Sequence, residues 1–333
     1  MHPFTYVKAA TAADAVSAAS AGGPGTRFLA GGTTIYDLMK LDVETPRRLV
    51  DLTGIGELGG FDTSGSQELV FGALARMSDV AEDPRLVRDY PALSESLWRA
   101  ASQQLRNMAT LGGNLLQRTR CAYFRFGEPF ACNKRNPGSG CSAREGLDRG
   151  HALLGGSESC IAVYPGDFAI ALVAFDAVVD VLGPNGERTI PLEQLHREPG
   201  RTPHIETVLA ADELIVRIRV PTTPLGRGST YHKIRDRESY AFALASAAVA
   251  LQMQGEVVRN ARIAIGGLAT RPWRVRAAEQ ALFGRPLTPQ TARAAGEAAM
   301  QGAVPGRANE FRIELGIRTV ADALMIAEQR ARR

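Results

Sequence analysis

The sequence predicts an α+β protein made of three consecutive units. Residues 1–60 alternate short apolar strands with helices in the order β-α-β-α-β, which is typical of a small α/β subdomain. Residues 61–225 mix strands, helices and a hairpin pattern, and residues 226–333 combine antiparallel strands with alanine-rich helices. A length of 333 residues suits two or three domains, and 45% apolar residues supply a core.

The first unit is predicted from short apolar runs and helix-start signals. An extended segment at 4–7 precedes an alanine-rich helix at 12–19, and residues 26–39 indicate a buried strand, a glycine turn and a helix. Residues 49–52 form the last apolar strand of this unit.

The second unit is predicted to begin with a strand at 68–73. A helix over 91–105 follows, because apolar residues recur there at four-residue steps. After a long cysteine-bearing loop come a short helix at 167–174, a hairpin formed by 178–182 and 188–190, and a half-buried strand at 214–220.

A proline- and glycine-containing break at 221–228 marks the predicted boundary of the third unit. Beyond it, residues 243–252 and 261–265 are predicted to form antiparallel strands joined near Gly255. Three helices follow, at about 275–282, 291–301 and 320–331.

Composition excludes several classes of protein. No window approaches the roughly 18 consecutive apolar residues of a membrane span, and the first twenty residues show no secretory signal. The chain is therefore expected to be cytoplasmic, or periplasmic if a partner with a twin-arginine signal exports it. Residues 118–149 hold seven basic and three acidic residues, but no nucleic-acid-binding module, so that charge is expected to offset thiolates and an anionic cofactor.

Two glycine turns are candidates for binding an anion. Glycine pairs allow backbone N–H groups to converge, because no Cβ blocks the approach. Gly31-Gly32 leads into a helix start, and Gly112-Gly113 offers a second concave turn. Neither matches the G-x-G-x-x-G or P-loop pattern, which argues against a Rossmann or P-loop enzyme, and each pair alone is more often a simple turn.

All four cysteines lie in one loop with the spacing C-x10-C-x8-C-x18-C. Such clustering in an intracellular protein favours a metal or redox role. Zinc sites usually contain C-x2-4-C pairs, which are missing here, whereas iron–sulfur clusters accept more variable spacing. A cluster, a zinc site, two disulfides and four unrelated cysteines all remain open from spacing alone.

Several motifs together resemble a known family. These are Ala30-Gly31-Gly32-Thr33, the string from Gln104 to Asn114 (Gln-Leu-Arg-Asn-Met-Ala-Thr-Leu-Gly-Gly-Asn), Gly166-Asp167, and residues 263–267 with Pro272 and Glu279. They are similar to the FAD-binding medium subunits of the xanthine dehydrogenase family of molybdenum hydroxylases, over essentially the whole chain. Residues 115–121 and the cysteine loop resemble the subclass found in periplasmic aldehyde oxidoreductases, and less closely that of 4-hydroxybenzoyl-CoA reductases.

The resemblance implies a two-lobed FAD-binding fold of the vanillyl-alcohol oxidase type. Its lobes are residues 1–60 and 61–225, the latter with an iron–sulfur loop at 118–160, and residues 226–333 form a CO-dehydrogenase-flavoprotein-like domain. Asp167 is expected to contact FAD, with Ile215 near the adenine and Lys233 near the isoalloxazine. The residues implied for the diphosphate are Ala30, Gly31, Gly32, Thr33, Thr34, Thr110, Gly112, Gly113 and Asn114.

The resemblance also implies a [4Fe-4S] cluster bound by Cys121, Cys132, Cys141 and Cys160. Electrons would pass from a molybdenum-cofactor large subunit and a [2Fe-2S] small subunit through FAD to an external acceptor, so no catalytic side chain is expected in this chain. The alternatives are a stand-alone flavin oxidoreductase of the same superfamily and a zinc-bound, non-catalytic assembly module.

Overall fold

The computed structural model describes residues 1–127 and 129–332; Glu128, one of the three acids counted in the cysteine loop, lies outside them. In the described residues the strands form three sheets: a three-stranded parallel sheet, a five-stranded antiparallel sheet and a four-stranded antiparallel sheet. Helices pack on each of these sheets. The predicted α+β fold class is confirmed.

The first unit is a parallel sheet with strand order β1-β3-β2 and two helices. Its first helix begins at a capping box in which Thr11 and Asp14 exchange side-chain and backbone hydrogen bonds. The second strand ends at the first glycine turn, so that turn lies at the carboxyl edge of the sheet. The elements are β1 (Thr5–Lys8), α1 (Ala12–Gly22), β2 (Thr26–Leu29), α2 (Ile35–Lys40) and β3 (Arg48–Asp51).

The second unit is built on an antiparallel sheet with strand order β4-β5-β8-β6-β7. The fully buried helix α9 packs within its core. Its elements are β4 (Phe61–Asp62), β5 (Glu68–Gly72), α3 (Met77–Ala81), α4 (Pro84–Asp89), α5 (Pro91–Trp98), α6 (Gln103–Arg106), α7 (Leu111–Leu115), α8 (Ala122–Arg125), α9 (Phe168–Ala174), β6 (Val178–Gly183), β7 (Gly186–Pro191), α10 (Leu192–Leu195) and β8 (Leu214–Pro221).

The helix predicted over 91–105 is two helices, so that prediction is wrong in extent. Helix α5 ends at Trp98, and Ala101 adopts a positive φ of 48°, which a continuous right-handed helix does not allow. Ser102 then caps α6 by accepting a hydrogen bond from the Leu105 N–H. The apolar period runs through this break although only α5 is buried in the core; α6 buries no residue, and Leu105 is only partly buried.

The third unit is an antiparallel sheet with strand order β12-β11-β10-β9, covered by three helices. Strand β9 was not predicted, and α13 begins nine residues before the predicted start at 320, because polar residues obscure its first turns. The elements are β9 (Ser229–Ile234), β10 (Ala245–Gln254), β11 (Val257–Gly266), β12 (Trp273–Arg274), α11 (Arg276–Leu282), α12 (Pro289–Ala299) and α13 (Phe311–Ala331).

No helix of the described residues is both long and apolar enough to cross a membrane. The second and third units share a core, since Tyr231, Ala248 and Ala264 pack with the residues of the five-stranded sheet. The third unit also has its own apolar cluster between its sheet and helices.

A buried arginine joins the start of α13 to three loops. The Arg312 guanidinium, 1% exposed, donates to the carbonyl oxygens of His151 at 2.6 Å, Leu244 at 2.8 Å and Gly267. Burial lowers its pKa to about 10. A buried cation without a carboxylate partner is tolerated here because several carbonyl oxygens surround it.

We expect Arg312→Met to reduce the free energy of unfolding by about 3 kcal/mol, because it leaves several buried carbonyl oxygens without donors. The matched control is Arg318→Met, which removes an arginine on the same helix whose side chain is 70% exposed. Urea unfolding followed by circular dichroism measures both. Equal losses in the two variants would contradict the role given to Arg312.

A second buried polar group, the imidazole of His196, makes the stability of the folded chain depend on pH. His196 lies beneath α7, with its Nε2 2.9 Å from the Leu115 carbonyl oxygen and its ring against Tyr164. Burial lowers the His196 pKa to about 4, below the roughly 6.5 of an unfolded chain. Between these values the unfolded chain binds a proton that the folded chain does not, so stability falls as pH falls from about 6.5 to 4.

We expect His196→Gln to lose less stability than the native chain when the pH is lowered from 7 to 5, by about 2 kcal/mol. Glutamine keeps a donor for Leu115 but does not titrate. The control is His204→Gln, at an exposed position. Denaturant unfolding at the two pH values checks this, and an unchanged pH slope in His196→Gln would refute it.

Candidate cofactor-binding site

The first glycine turn presents a row of free backbone donors. In the part of the chain that the structure describes, the N–H groups of residues 31–35 donate no hydrogen bond to protein. Gly32 has a φ of 74°, the left-handed conformation that favours glycine and gives a concave run of N–H groups. Partly buried N–H groups without partners are rare, so this turn is suited to an anionic ligand.

The two glycine turns are in direct contact. A Cβ on Gly31 would overlap the carbonyl oxygen of Met108, and it would lie 3.1 Å from the Cα of Ala109. Met108 and Ala109 immediately precede Thr110, which begins the second turn. Only glycine therefore allows the first turn to approach the second, as the sequence prediction of a shared site requires.

In the second turn, unlike the first, the backbone N–H groups of residues 111–114 donate hydrogen bonds within the protein. The N–H groups of Leu111 and Gly112 donate to the carbonyl oxygens of Ala75 at 3.0 Å and Ala73 at 2.8 Å. Thr110 accepts from the two remaining N–H groups of the turn, those of Gly113 and Asn114, through Oγ1 at 3.4 Å and its carbonyl oxygen at 2.8 Å. These backbone donors are thus used within the protein, unlike those of the first turn.

The second turn instead offers the side chain of Asn114. Its Oδ1 is buried and has no hydrogen-bond partner among the described residues. A side-chain amide carries both an acceptor and a donor group, and an orphaned buried amide costs free energy unless a ligand satisfies it. The free N–H groups of the first turn fit a diphosphate, and the unpaired Asn114 Oδ1, an acceptor, fits a hydroxyl or N–H donor of the same cofactor.

Asp167 and Lys233 bind each other. The Lys233 Nζ lies 2.8 Å from Asp167 Oδ2, and both side chains are buried. Tyr231 donates its hydroxyl to Asp167 Oδ1 at 2.5 Å, and Lys233 also donates to the Arg99 carbonyl oxygen. Burial and the neighbouring Asp167 raise the pKa of Tyr231 well above its usual value. This network joins the second unit to the third.

Ile215 is 2% exposed and lies on β8, opposite Val181 in the antiparallel sheet. Its side chain belongs to the core of the second unit. Its assignment to the adenine end of a cofactor, like the roles of Asp167 and Lys233, stays a prediction.

The four cysteines are brought together in the folded chain. All four are free thiols and line a single pocket. Cys132 and Cys141 pair across an isolated antiparallel bridge, Cys121 begins α8, and Cys160 lies in a turn closed by Ser157. In the described residues, no three His, Cys, Asp or Glu side chains are placed to hold one metal ion.

Burial raises the pKa of the Cys121 thiol to about 12, and it also raises the pKa of Cys160. Neighbouring thiols add to both shifts, because thiolates repel one another. Without a cation in the pocket the Cys121 and Cys160 thiols are therefore protonated. A metal that binds four thiolates therefore has to displace their protons.

The basic residues of the loop are mostly ion-paired with carboxylates. Asp37 on α2 accepts a bidentate pair of hydrogen bonds from Arg125, at 2.8 and 3.0 Å, and a further one from Arg120 at 3.2 Å. Glu206 pairs with Lys134 at 2.8 Å and with Arg118, which also contacts Glu44. Most of the positive charge in this loop is therefore taken up by ion pairs, and only part of it is left to offset thiolates as expected.

Apolar contacts also join α2 to the cysteine loop, in addition to the ion pairs of Asp37. Leu38, next to Asp37 on α2, packs against Phe124 and Cys132 in a small buried cluster that Val43 and Cys121 complete. The helix that follows the first glycine turn thus rests directly on the cysteine pocket. Neither Asp37 nor Leu38 was singled out in the sequence, because nothing local links them to a loop more than eighty residues away.

Comparison with protein families gives the class of protein. Residues 2–223 match the FAD binding domain in molybdopterin dehydrogenase. Residues 229–326 match the CO dehydrogenase flavoprotein C-terminal domain. The fold is therefore that of an FAD-binding protein of this class.

Individual similar proteins identify the family within this class. The chain is 46% identical over 332 residues to the aldehyde oxidoreductase FAD-binding subunit PaoB of Escherichia coli, covering 99% of each chain. It is 28% identical to the carbon monoxide dehydrogenase medium chain of Hydrogenophaga pseudoflava, covering 89% of this chain and 86% of that one. A solved carbon monoxide dehydrogenase from that organism superposes with a TM-score of 0.77 at 27% identity, covering 99% and 98%. The chain belongs to the FAD-binding medium subunits of the molybdenum hydroxylase family of oxidoreductases.

We expect Gly31→Ala to lower the FAD content of the purified chain at least tenfold, because the added Cβ pushes the first turn away from Met108. Gly60→Ala is the control, since a Cβ there meets nothing within 4 Å. FAD released by acid, per polypeptide, is the measurement. Full FAD content in Gly31→Ala would contradict the close approach of the two turns.

We expect Asn114→Ala to weaken FAD binding about tenfold while leaving the stability of the FAD-free chain unchanged, since Asn114 Oδ1 has no partner in residues 1–127 and 129–332. Reconstitution of deflavinated protein, followed by flavin fluorescence, gives the dissociation constant. A variant with reduced apo stability and normal FAD affinity would indicate that Asn114 is structural.

Proposed function

We propose that this chain is the FAD- and [4Fe-4S]-carrying electron-transfer subunit of a heterotrimeric molybdenum-containing aldehyde oxidoreductase. The observation that carries the proposal is the folding of all four cysteines around one pocket beside the helix that follows the first glycine turn. The 46% identity to an aldehyde oxidoreductase FAD-binding subunit over the whole length supports the aldehyde class.

FAD would be held by the free N–H groups of residues 31–35 and by Asn114. Bound flavin accepts and releases electrons singly or in pairs, and the protein supplies binding, orientation and electrostatics. The buried Asp167–Lys233 pair would keep a fixed charge arrangement between the second and third units. No side chain is assigned an acid or base role, in line with a subunit that relays electrons.

The spacing of the cysteines in the sequence supports a cluster over a zinc ion. A tetrahedral zinc ion binds its sulfur ligands at about 2.3 Å, so its four thiolates must converge closely. In a [4Fe-4S] cluster each thiolate binds a different iron, so the ligands stand farther apart around a larger group. The four thiols line one pocket, and the loop that carries them lacks the closely spaced cysteine pairs of zinc sites.

The cluster would also hold the flavin turn in place. Asp37 and Leu38 lie on α2, directly after residues 30–34, and contact Arg125 and Cys132 of the cysteine loop. A loop ordered by four iron–thiolate bonds would therefore fix the position of α2. Loss of the cluster would loosen the turn that carries the free N–H groups.

The partners of this function would be a large subunit with the molybdenum cofactor and a small subunit with [2Fe-2S] centres. An external acceptor would take the electrons from FAD. The complex would be cytoplasmic, or periplasmic if exported with a partner. A stand-alone flavin oxidoreductase is the second candidate; it would turn over an aldehyde without the other subunits, whereas the proposed subunit would not.

The first test is an absorption spectrum of the purified chain with iron, sulfide, zinc and flavin counted per polypeptide. We expect one FAD and about four irons and four sulfides, with a broad shoulder beneath the flavin bands. Zinc without iron would contradict the cluster and favour a zinc-bound, non-catalytic assembly module. Absence of flavin would overturn the proposal altogether.

We expect Cys132→Ser to lose most of the iron and to lower FAD occupancy severalfold, because Cys132 contacts Leu38 on the flavin-turn helix. The control is Glu158→Ala in the same loop, whose side chain is 90% exposed. Iron and FAD are counted in both variants. Full FAD occupancy in an iron-depleted Cys132→Ser protein would refute the structural role of the cluster.

A further inference from the structure

One histidine contacts the cysteine pocket. His151 is 7% exposed, and its Nε2 lies 3.2 Å from the Sγ of Cys121. None of the sequence motifs includes His151, and the proposed electron transfer gives it no role.

The contacts of the ring favour the tautomer with its proton on Nε2. His151 Nδ1 is buried and has no partner among the described residues. A buried ring nitrogen without a proton is an unused acceptor, which costs less than an orphaned N–H donor. With the proton on Nε2, the neutral ring is placed to donate to the Cys121 Sγ.

The ring is held in this position by the third unit. The carbonyl oxygen of His151 accepts from the Arg312 guanidinium at 2.6 Å and from the Asn309 side-chain amide at 3.3 Å. Its own N–H donates to the carbonyl oxygen of Asp148 at 2.8 Å. A donor fixed by its backbone in this way needs little reorganisation when the charge on sulfur changes.

We propose that His151 is a positioning residue that donates its Nε2–H to the Cys121 thiolate and raises the reduction potential of the cluster at this pocket. The inference rests on the proposed cluster. Reduction adds one electron to the cluster and breaks no bond, and the proton stays on Nε2. An N–H donor stabilises the more negative, reduced form more than the oxidised form, so hydrogen bonds to the sulfur ligands raise the potential.

The test is a redox titration of the purified, FAD-containing chain, followed by the electron paramagnetic resonance signal of the reduced cluster. We expect His151→Leu to make reduction about tenfold less favourable, which lowers a one-electron potential by about 59 mV. His151→Gln keeps an N–H donor and is expected to remain near the native value. His204→Leu, at an exposed position, is the control and is expected to show no shift.

The outcomes separate this inference from the proposed function. A native chain without four irons would overturn the proposed function before His151 is tested. A cluster whose potential is the same in the native chain, His151→Leu and His151→Gln would overturn the inference alone. If His151→Leu fails to retain the cluster, His151→Met against His151→Gln makes the same comparison, and only a lower potential for methionine supports the inference.

Discussion

The ion pair between Asp37 and Arg125 connects the two halves of the proposed site. Asp37 lies on the helix that begins at the first glycine turn, and Arg125 ends the short helix that begins at Cys121. A single exposed ion pair contributes little to stability, but this one is bidentate, shared with Arg120, and backed by buried apolar contacts of Leu38. Several weak contacts in one place therefore fix the distance between the flavin turn and the thiols.

The two glycine turns have similar sequences but different physical roles. Residues 73–75 bind the backbone of the second turn, so its N–H groups are already satisfied. The first turn follows the end of β2 and has no neighbouring strand to accept its donors. A Gly-Gly pair therefore indicates close backbone approach in both turns, but free donors in only one. What the second turn contributes is the amide of Asn114 and a backbone surface that Gly31 contacts.

Local sequence signals predicted the fold class, most strands and both turns, because strand periodicity and glycine placement are properties of a few consecutive residues. These local signals failed where contacts between distant parts of the chain determine the structure. The apolar period over 91–105 gave no sign of the positive φ at Ala101. The contacts of Asp37 with Arg125 and of His151 with Cys121 join residues 88 and 30 positions apart. The family motif supplied the cofactor residues, but it did not indicate which backbone groups are free.

The charges around the cysteines also show why net charge was a poor guide to this pocket. Six of the seven basic residues counted in the loop are paired with carboxylates: Arg118, Arg120, Arg125 and Lys134 with Asp37, Glu44 or Glu206, Arg144 with Glu158, and Arg149 with Asp236. The seventh, Arg135, donates to backbone carbonyl oxygens. Burial raises the pKa of the Cys160 thiol, and the charge of Lys134 opposes that rise. Neutral N–H donors also face sulfur: the Ala162 N–H lies 3.4 Å from the Cys160 Sγ, and His151 faces Cys121. Stabilisation of thiolates in this pocket would therefore depend on one nearby cation and on oriented dipoles, and a charge count along the sequence identifies neither.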